Sequence, residues 1–224
     1  MDLAKHLEFF DPLNALEGAI HIIGVGAIGS TVAEMLARTG IPKLYLYDFD
    51  EVTPHNITNQ MFYTDQIKQS KLDALSDTLH RINPDIELKL FPKGYIGQSL
   101  SGYIFLCVDN IDLRRKITED NMGNDNIKAM FDFRMRLTDA QHYAADWSDP
   151  KLKQIFLDSM QFTTEEAKAA TPISACGSTL NIIPTVRLVV AVGIANFINF
   201  VKHKPIKKVI LIDAFTFMVD TCEA

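Results

Sequence analysis

Cysteine is scarce in this chain of 224 residues, and its scarcity excludes two classes of protein. The three cysteines, Cys107, Cys176 and Cys222, cannot all pair with one another, and no Cys-x-x-Cys motif is present. The sequence therefore predicts neither a disulfide framework nor a tetrahedral zinc site. Internal repeats and low-complexity segments are also absent, and the length suits one domain with a sizeable core.

Positive charge and targeting signals are also lacking. The formal net charge is -6, which gives no electrostatic reason to expect a nucleic-acid partner. The first residues lack the basic and apolar regions of a secretory signal, so we expect a cytoplasmic protein. The most apolar stretch, Ile182 to Val201, is interrupted by Pro184, Arg187 and two asparagines, which favours a buried helix over a membrane span.

A glycine-rich loop, Gly24-Val25-Gly26-Ala27-Ile28-Gly29, is the most informative feature that is present. It lies between an apolar run typical of a buried strand and a helical pattern over residues 30–39. Such glycines allow backbone to approach phosphate closely, and a helix N-terminus attracts anions, although a glycine loop alone can also merely join strand to helix. Asp48 and Asp50 end the next apolar run, at the spacing of a ribose-binding carboxylate. We therefore expect Gly24, Gly26, Gly29, Asp48 and Asp50 to bind a nucleotide.

The polar segment after Asp50 separates two nucleotide classes. It contains Asn56 and Gln60 and ends with Lys71, which opens a helical pattern. A triphosphate needs a cation and amide donors around its charged groups, whereas a nicotinamide site does not need this extension. The segment therefore favours ATP over NAD.

Strands alternate with helices along the chain, which predicts an α/β, Rossmann-like, doubly wound and mostly parallel sheet with helices on both faces. Further strands are expected at 86–91, 103–108, 128–133, 142–145 and 208–212. Helices are expected at 65–81, 111–121, 150–159 and 180–202. The stretch from Asp146 to Pro172 is the least regular, although Thr163 to Glu166 has the pattern of a capped helix start.

Residues 22–71 resemble the ThiF/MoeB/HesA superfamily, the ATP-dependent activators of ubiquitin-like and sulfur-carrier proteins. Residues 33–41 and 43–50 are especially similar to the enzymes that activate the ubiquitin-like modifier UFM. Residues 105–110, with Arg114 downstream, and residues 174–178 resemble two later segments of the family. The resemblance implies one adenylation domain over 1–224, with a mobile crossover and insertion at 146–178.

The resemblance also implies roles for individual residues. Lys71 would neutralise triphosphate charge, Asp109 would coordinate Mg²⁺, and Asn110 would contact the nucleotide. Each side chain also has a simpler interpretation. Lys71 suits a solvated helix flank, Asp109 suits a helix cap, and Asn56 and Gln60 suit turns.

The chain departs from the family at two arginines. Asn59 stands where the family has an arginine that binds the phosphates. The family takes a second arginine from the N-terminal segment of the partner subunit, and in this chain no arginine precedes Arg38. We expect Arg134, which follows a predicted strand, to supply the missing positive charge at the phosphates. The other candidates are Lys5, Arg114, Arg115 and Arg136. Without a replacement, the chain would be a degenerate, partner-supporting homologue.

Cys176 is the candidate covalent nucleophile. It precedes a long helix, whose N-terminus would lower the thiol pKa, and the family uses a cysteine near this place. Cys107 and Cys222 suit buried packing positions instead.

The sequence therefore predicts an ATP-dependent adenylyltransferase that acts with magnesium on the C-terminal carboxylate of a small ubiquitin-like or sulfur-carrier protein. The family's paired subunits and the apolar stretch 182–201 predict a homodimer without nucleic-acid or membrane partners. A degenerate nucleotide-binding subunit and, less favoured, an NAD-dependent oxidoreductase are the alternatives.

Overall fold

The computed structural model describes residues 1–12, 18–172 and 180–222. Its centre is an eight-stranded sheet with the order β3-β2-β1-β4-β5-β6-β7-β8. The parallel part comprises β1 (Ile20–Ile23), β2 (Lys43–Tyr47), β3 (Glu87–Phe91), β4 (Gly102–Leu106) and β5 (Ile127–Met135). The antiparallel part continues through β6 (Asp139–Asp146), β7 (Val209–Asp213) and β8 (Met218–Cys222).

Helices cover both faces of the sheet, as the alternation of strands and helices predicts. In chain order they are α1 (Ala27–Arg38), α2 (Lys71–Ile82), α3 (Ile111–Asp120), α4 (Pro150–Asp158), α5 (Thr164–Ala169) and α6 (Ile183–Val201). Helices α1, α2 and α6 contribute to one apolar core, and α3 and α4 contribute to the core on the opposite face. The predicted Rossmann-like fold is confirmed.

Aromatic side chains fill the core where α6 meets the middle of the sheet. The Phe197 ring packs edge-on against Phe105 and Phe131, with centroids 5.4 and 5.6 Å away. All three rings are fully buried, and each such burial stabilises the fold by about 1.5–3 kcal/mol. The central strands β1 and β4 are buried along their whole length, which explains their continuous apolar runs.

Helix α6 alone among the helices of the described residues is long and apolar enough to cross a membrane. It packs against α1, β5 and β6 instead. Its buried Asn196 donates to the carbonyl of Lys207 and accepts from the Lys207 N–H. Pro184 stands in its first turn, where its missing N–H costs no hydrogen bond. These contacts are those of a core helix.

The expected helix over 65–81 begins later than predicted, at Lys71. The chain first forms a 3₁₀ turn, Thr64–Gln66, because the Gln66 side chain accepts from Tyr63 N–H and donates to the Ala74 carbonyl. Lys68 then adopts a positive φ of 75°, which no helix tolerates. Strand β8 was not predicted at all.

The region between β6 and α6 is more regular than expected where it is described. It forms α4 and then α5, which starts with the predicted capping box. Thr163 N–H donates to the Glu166 carboxylate at 2.7 Å, and Glu166 N–H donates to the Thr163 hydroxyl at 3.1 Å. Residues 173–179, including Cys176, lie outside the described residues, and the mobility of the insertion stays a prediction.

Candidate functional site

The site is built where the strand order reverses. Strands β1 and β4 are neighbours, but the chain leaves β1 toward α1 on one face and leaves β4 toward α3 on the other. The C-terminal ends of the two strands therefore frame a crevice, which is the usual ligand position in open α/β sheets. The Cys107 N–H donates to the Ile23 carbonyl at 2.8 Å, so the Gly24 loop and the Asp109 loop leave the sheet side by side.

The three glycines of the loop have different physical reasons to be glycine. Gly24 has a φ of +90°, and a Cβ there would lie 2.9 Å from the backbone nitrogen of Val108. At Gly29, a Cβ would lie 1.8 Å from the Gly24 carbonyl oxygen, so helix and loop are in direct contact. Gly26 differs, because a Cβ there would meet nothing within 4 Å. The open space above Gly26 is therefore available to a ligand.

The N-terminus of α1 is uncapped. Gly26 is its N-cap and has no side chain, and the first turn contains no acidic residue. The first N–H groups of a helix have no intrahelical partner and carry the positive end of the helix dipole. An anion in the space above Gly26 would accept hydrogen bonds from these N–H groups.

Asp48 holds the loop in place. Its Oδ2 accepts from the Val25 N–H at 2.7 Å, and its Oδ1 accepts from the Asp50 N–H at 2.9 Å. The ribose contact of Asp48 stays a prediction, and these two bonds leave room for it because a carboxylate offers about four lone-pair positions.

Lys71 and Asp50 form an ion pair at the start of α2. The Lys71 Nζ lies 2.7 Å from Asp50 Oδ2, and the Lys71 N–H donates to the Asp50 carbonyl at 3.0 Å. The Lys71 side chain is only 8% exposed, whereas that of Asp50 is 51% exposed. The expected solvated-flank alternative for Lys71 does not describe this buried ammonium.

Three of the amides in the segment between β2 and α2 have different surroundings. Asn56 Oδ1 accepts from the Thr53 N–H and hydroxyl, which caps the 3₁₀ helix Pro54–Thr58. Asn59 Oδ1 and Gln60 Oε1 are buried and find no hydrogen-bond partner within the described part of the chain. Buried polar atoms without partners are costly in an unliganded protein and indicate a place where a ligand group donates.

Asp109 and Asn110 follow β4. Asp109 is exposed and forms no ion pair among the described residues, so its carboxylate is available. Asn110, not Asp109, is the cap of α3, and its Oδ1 accepts from the Leu113 N–H at 2.9 Å. The Thr164 hydroxyl donates to Asp112 at 2.6 Å and to Asn110 at 3.3 Å, which places α5 beside this helix start.

The donor set fits Mg²⁺ only in the manner of triphosphate sites. No cluster of three or more His, Cys, Asp or Glu side chains suitable for a metal occurs within residues 1–12, 18–172 and 180–222. Mg²⁺ commonly takes one or two carboxylates and completes its octahedron with substrate phosphates and water. The exposed Asp109 carboxylate beside the glycine loop suits that arrangement.

Arg134 lies in a buried ion network. Asp132 is fully buried and accepts from both Arg114 and Arg134. Burial opposes ionisation of Asp132, but the two guanidinium groups outweigh it and hold the pKa of its carboxyl below the usual value. Arg114 also donates to the Val108 and Phe133 carbonyls, and Arg134 donates to Ser159.

These bonds show that Arg114 and Arg134 have a structural role. Arg114 fixes the end of β4 one residue before Asp109. Among the other candidate cations, Arg115 donates to the Met160 and Phe162 carbonyls, Arg136 pairs with Asp139, and Lys5 is exposed near the N-terminus. The phosphate role of Arg134 stays a prediction.

Two buried titratable groups near the site are neutral. Burial raises the pKa of the Cys107 thiol, so this cysteine is a packing residue rather than a thiolate. Burial also lowers the pKa of His142 to about 4. The His142 ring contacts Phe133 and hydrogen-bonds the Asp132 carbonyl at 3.1 Å, which places it behind the ion network.

Residues 12–224 match the ThiF family, and the chain therefore belongs to it. It is similar to ubiquitin-like modifier-activating enzyme 5 of Caenorhabditis elegans, with 32% identity over 118 residues that cover 45% of this chain and 28% of that enzyme. The Arabidopsis thaliana enzyme of the same name is 45% identical over 75 residues, which cover 34% of this chain and 17% of that enzyme. The chain matches less than a third of the length of either relative.

Solved structures show the same fold. E. coli MccB with ATP superposes with a TM-score of 0.71 and 17% identity, over 95% of this chain and 64% of that one. PaaA superposes with a TM-score of 0.70 and 16% identity, over 95% of this chain and 65% of that one. The suspected relationship to the ThiF/MoeB superfamily is confirmed by the family match and the curated relatives.

Sequence reasoning missed two charged residues around the site. Asp132 was not singled out, because an aspartate inside an apolar strand shows no local pattern for its arginine partners. Arg187 counted only as an interruption of an apolar stretch. An arginine in the first turns of an otherwise apolar helix is itself a signal, because a buried helix carries such a charge only where it has a partner.

Proposed function

We propose that this protein is an ATP-dependent adenylyltransferase that activates the C-terminal carboxylate of a small ubiquitin-like protein. The observation that carries the proposal is the uncapped N-terminus of α1, with open space above Gly26 and Asp109 beside it, in a chain of the ThiF family. MccB, which has the same fold, was solved with ATP, and the curated relatives are named as activators of ubiquitin-like modifiers.

The chemistry is the formation of a mixed anhydride. A carboxylate oxygen of the carrier attacks the α-phosphorus of ATP, the bond from that phosphorus to the bridging oxygen breaks, and pyrophosphate leaves. Negative charge develops on the leaving group, so preorganised positive groups accelerate the step. The α1 N–H groups and Lys71 supply such groups, and Asn59 and Gln60 line the same segment.

Asp109 would hold Mg²⁺, which supplies charge neutralisation at the phosphates when bound. Asp109 stands at the carboxyl end of β4, where the carrier tail would enter the crevice. Asn110 is already engaged as a helix cap, so its proposed nucleotide contact would come from its amide nitrogen. The fixed Arg114 keeps this loop in register with β5.

The finer steps of the proposal are transfer to a cysteine and assembly into a homodimer. The Cys176 thiolate would attack the acyl carbon and release AMP, leaving a thioester. Cys176 stands shortly before α6 in the sequence, and a helix N-terminus favours thiolate. A sulfur carrier in place of a ubiquitin-like modifier would use the same adenylation step.

Exchange of labelled pyrophosphate into ATP tests the proposal. With MgATP and a matching carrier, we expect exchange, and the same carrier with an amidated C-terminus should give none, because its nucleophilic oxygen is blocked. Cys176→Ser should keep the exchange and lose the reductant-sensitive adduct with the carrier, since adenylation precedes the thiol step. Calorimetry that detects binding of NAD and no binding of ATP contradicts the proposal. ATP binding without exchange for any carrier supports the degenerate-subunit alternative.

A further inference from the structure

Arg187 is a cationic side chain that the protein itself holds only weakly. Its Nη1 lies 3.5 Å from Glu34 Oε2, which is at the limit of a hydrogen bond, and its Nη2 contacts the Met61 thioether, a weak acceptor. The side chain is 42% exposed. Arg114 and Arg134, by contrast, give their N–H groups to a buried carboxylate and to Val108, Phe133 and Ser159.

Arg187 stands next to the proposed phosphate site. It belongs to the first turns of α6, which packs directly against α1. The Met61 that it contacts donates its N–H to the Ser30 hydroxyl at 3.1 Å, and that hydroxyl donates to the Gly26 carbonyl at 2.6 Å. The contacts of Met61 and Ser30 therefore link Arg187 to the N-cap of α1, whereas its partner Glu34 lies about two helical turns from that N-cap.

The residues directly before Met61 are amides rather than cations. Asn59 and Gln60 directly precede Met61, and their buried carbonyl oxygens have no partner within the described part of the chain. Amides donate hydrogen bonds but neutralise no charge. Lys71 is already paired with Asp50. A triphosphate at the N-cap of α1 would gain from a further cation, and Arg187 is a weakly held one that is linked to this N-cap through Met61 and Ser30.

Glu34 is arranged so that Arg187 can leave it. Glu34 Oε1 also pairs with Arg38, one turn further along α1. Its carboxylate is only 11% exposed, and leaving it without a partner would be costly. Because Arg38 stays in place, Arg187 can turn toward the crevice without leaving Glu34 unpaired.

We propose that Arg187 leaves Glu34 and binds the terminal phosphates of the bound triphosphate. The inference rests on the proposed function and adds a residue to it. A guanidinium group donates to phosphate in a fork that matches two oxygens, which gives both affinity and orientation. Arg187 would then discriminate ATP from AMP, since AMP has no phosphate at that position.

Calorimetric titration of the full chain with MgATP and with AMP, in the absence of any carrier, tests the inference. Arg187→Gln should weaken ATP binding by about 10- to 100-fold, the usual effect of losing a hydrogen bond to a charged group, and leave AMP binding unchanged. Arg187→Lys should retain part of the ATP affinity. Arg81→Gln is the charge control, because it removes one exposed arginine from the last turn of α2, and it should bind ATP as the wild type does.

Other outcomes overturn the inference. An Arg187→Gln protein that binds ATP with wild-type affinity, or that loses ATP and AMP affinity equally, shows that Arg187 only joins α6 to α1. Equal loss of ATP affinity in Arg81→Gln assigns the effect to net charge rather than to Arg187. If the wild-type chain itself binds no ATP, both the inference and the proposed function fail, so the two failures are distinguishable.

Discussion

At the scale of single residues, Lys71 and Asp109 are the charged side chains through which the proposed site would act on a triphosphate and its metal. Lys71 is an almost fully buried ammonium whose carboxylate partner, Asp50, is half exposed, so desolvation falls mainly on the lysine. Asp109 is an exposed carboxylate without an ion-pair partner among the described residues, at the carboxyl end of a buried strand. Both arrangements suit residues that contact phosphate or its metal.

Substitution of either residue should depress the adenylation step. Lys71→Ala and Asp109→Ala are each expected to lower the rate of ATP–pyrophosphate exchange by about a hundredfold, or about 3 kcal/mol of barrier, as for the loss of one preorganised electrostatic group. Lys68→Ala is the control, because Lys68 is exposed in the same segment. Unchanged exchange in folded Lys71→Ala and Asp109→Ala proteins would return both residues to structural roles.

The individual site residues were only partly predictable from sequence. Gly24, Asp48 and Lys71 were predictable because each has a local signature, namely a loop after a strand, an acid after the next strand and a lysine that opens a helix. The partners of these residues were not. Asp48 binds the Val25 backbone and Arg114 binds Asp132, and both contacts join segments that only the folded sheet brings together.

At the scale of elements, two glycines of the same loop have different roles: Gly29 is needed for packing, and Gly26 leaves room for a ligand. Gly29 is in contact with the Gly24 carbonyl, whereas Gly26 faces open space and has a negative φ. Gly29→Ala should therefore lower the free energy of unfolding by about 1–3 kcal/mol, the usual cost of overpacking. Gly26→Ala should leave that free energy nearly unchanged and weaken ATP binding, because its methyl group occupies the space of a phosphate.

Denaturant unfolding and ATP titration of the two variants check this prediction. The pair serves as its own control, since both proteins carry the same added methyl group in the same motif. Wild-type ATP affinity in Gly26→Ala would show that no phosphate lies above this glycine. Wild-type stability in Gly29→Ala would show that the loop is free to shift.

The helix starts that were predicted correctly are set by hydrogen bonds between near neighbours in the sequence. The helix start that differs from the prediction is set by a side chain that bonds to a more distant residue. The capping box at Thr163 and the start of α3 are local, and both appear where expected. The start of α2 was displaced because Gln66 uses its amide to form a 3₁₀ turn. Strand β8 was not predicted because its apolar residues are followed by Asp220 and Thr221 after only two positions, which gives neither a long apolar run nor an alternation.

At the scale of the whole molecule, the predicted homodimer has a second candidate surface besides the helix that suggested it. Helix α6 buries part of its apolar surface inside the fold, so only the rest of the stretch 182–201 is available to a second subunit. Large apolar side chains are exposed at the β7–β8 hairpin, where Phe215, Phe217, Met218 and Val219 are 55%, 90%, 50% and 51% exposed. Strand β8 is also an unpaired sheet edge, which readily pairs with another strand.

We therefore expect two copies to associate through this hairpin, because a twofold axis lets the same apolar patch cover itself. Light scattering at micromolar concentration with ATP should give the mass of a dimer. Phe217→Asp should give a monomer, since the association would bury an unpaired charge, and it should bind ATP normally because the hairpin is separated from β1 by three strands of the sheet. Ile96→Asp is the control, since Ile96 is 69% exposed beyond the opposite edge strand, and it should remain dimeric. A monomeric wild-type protein contradicts the prediction, and a dimeric Phe217→Asp protein moves the interface elsewhere.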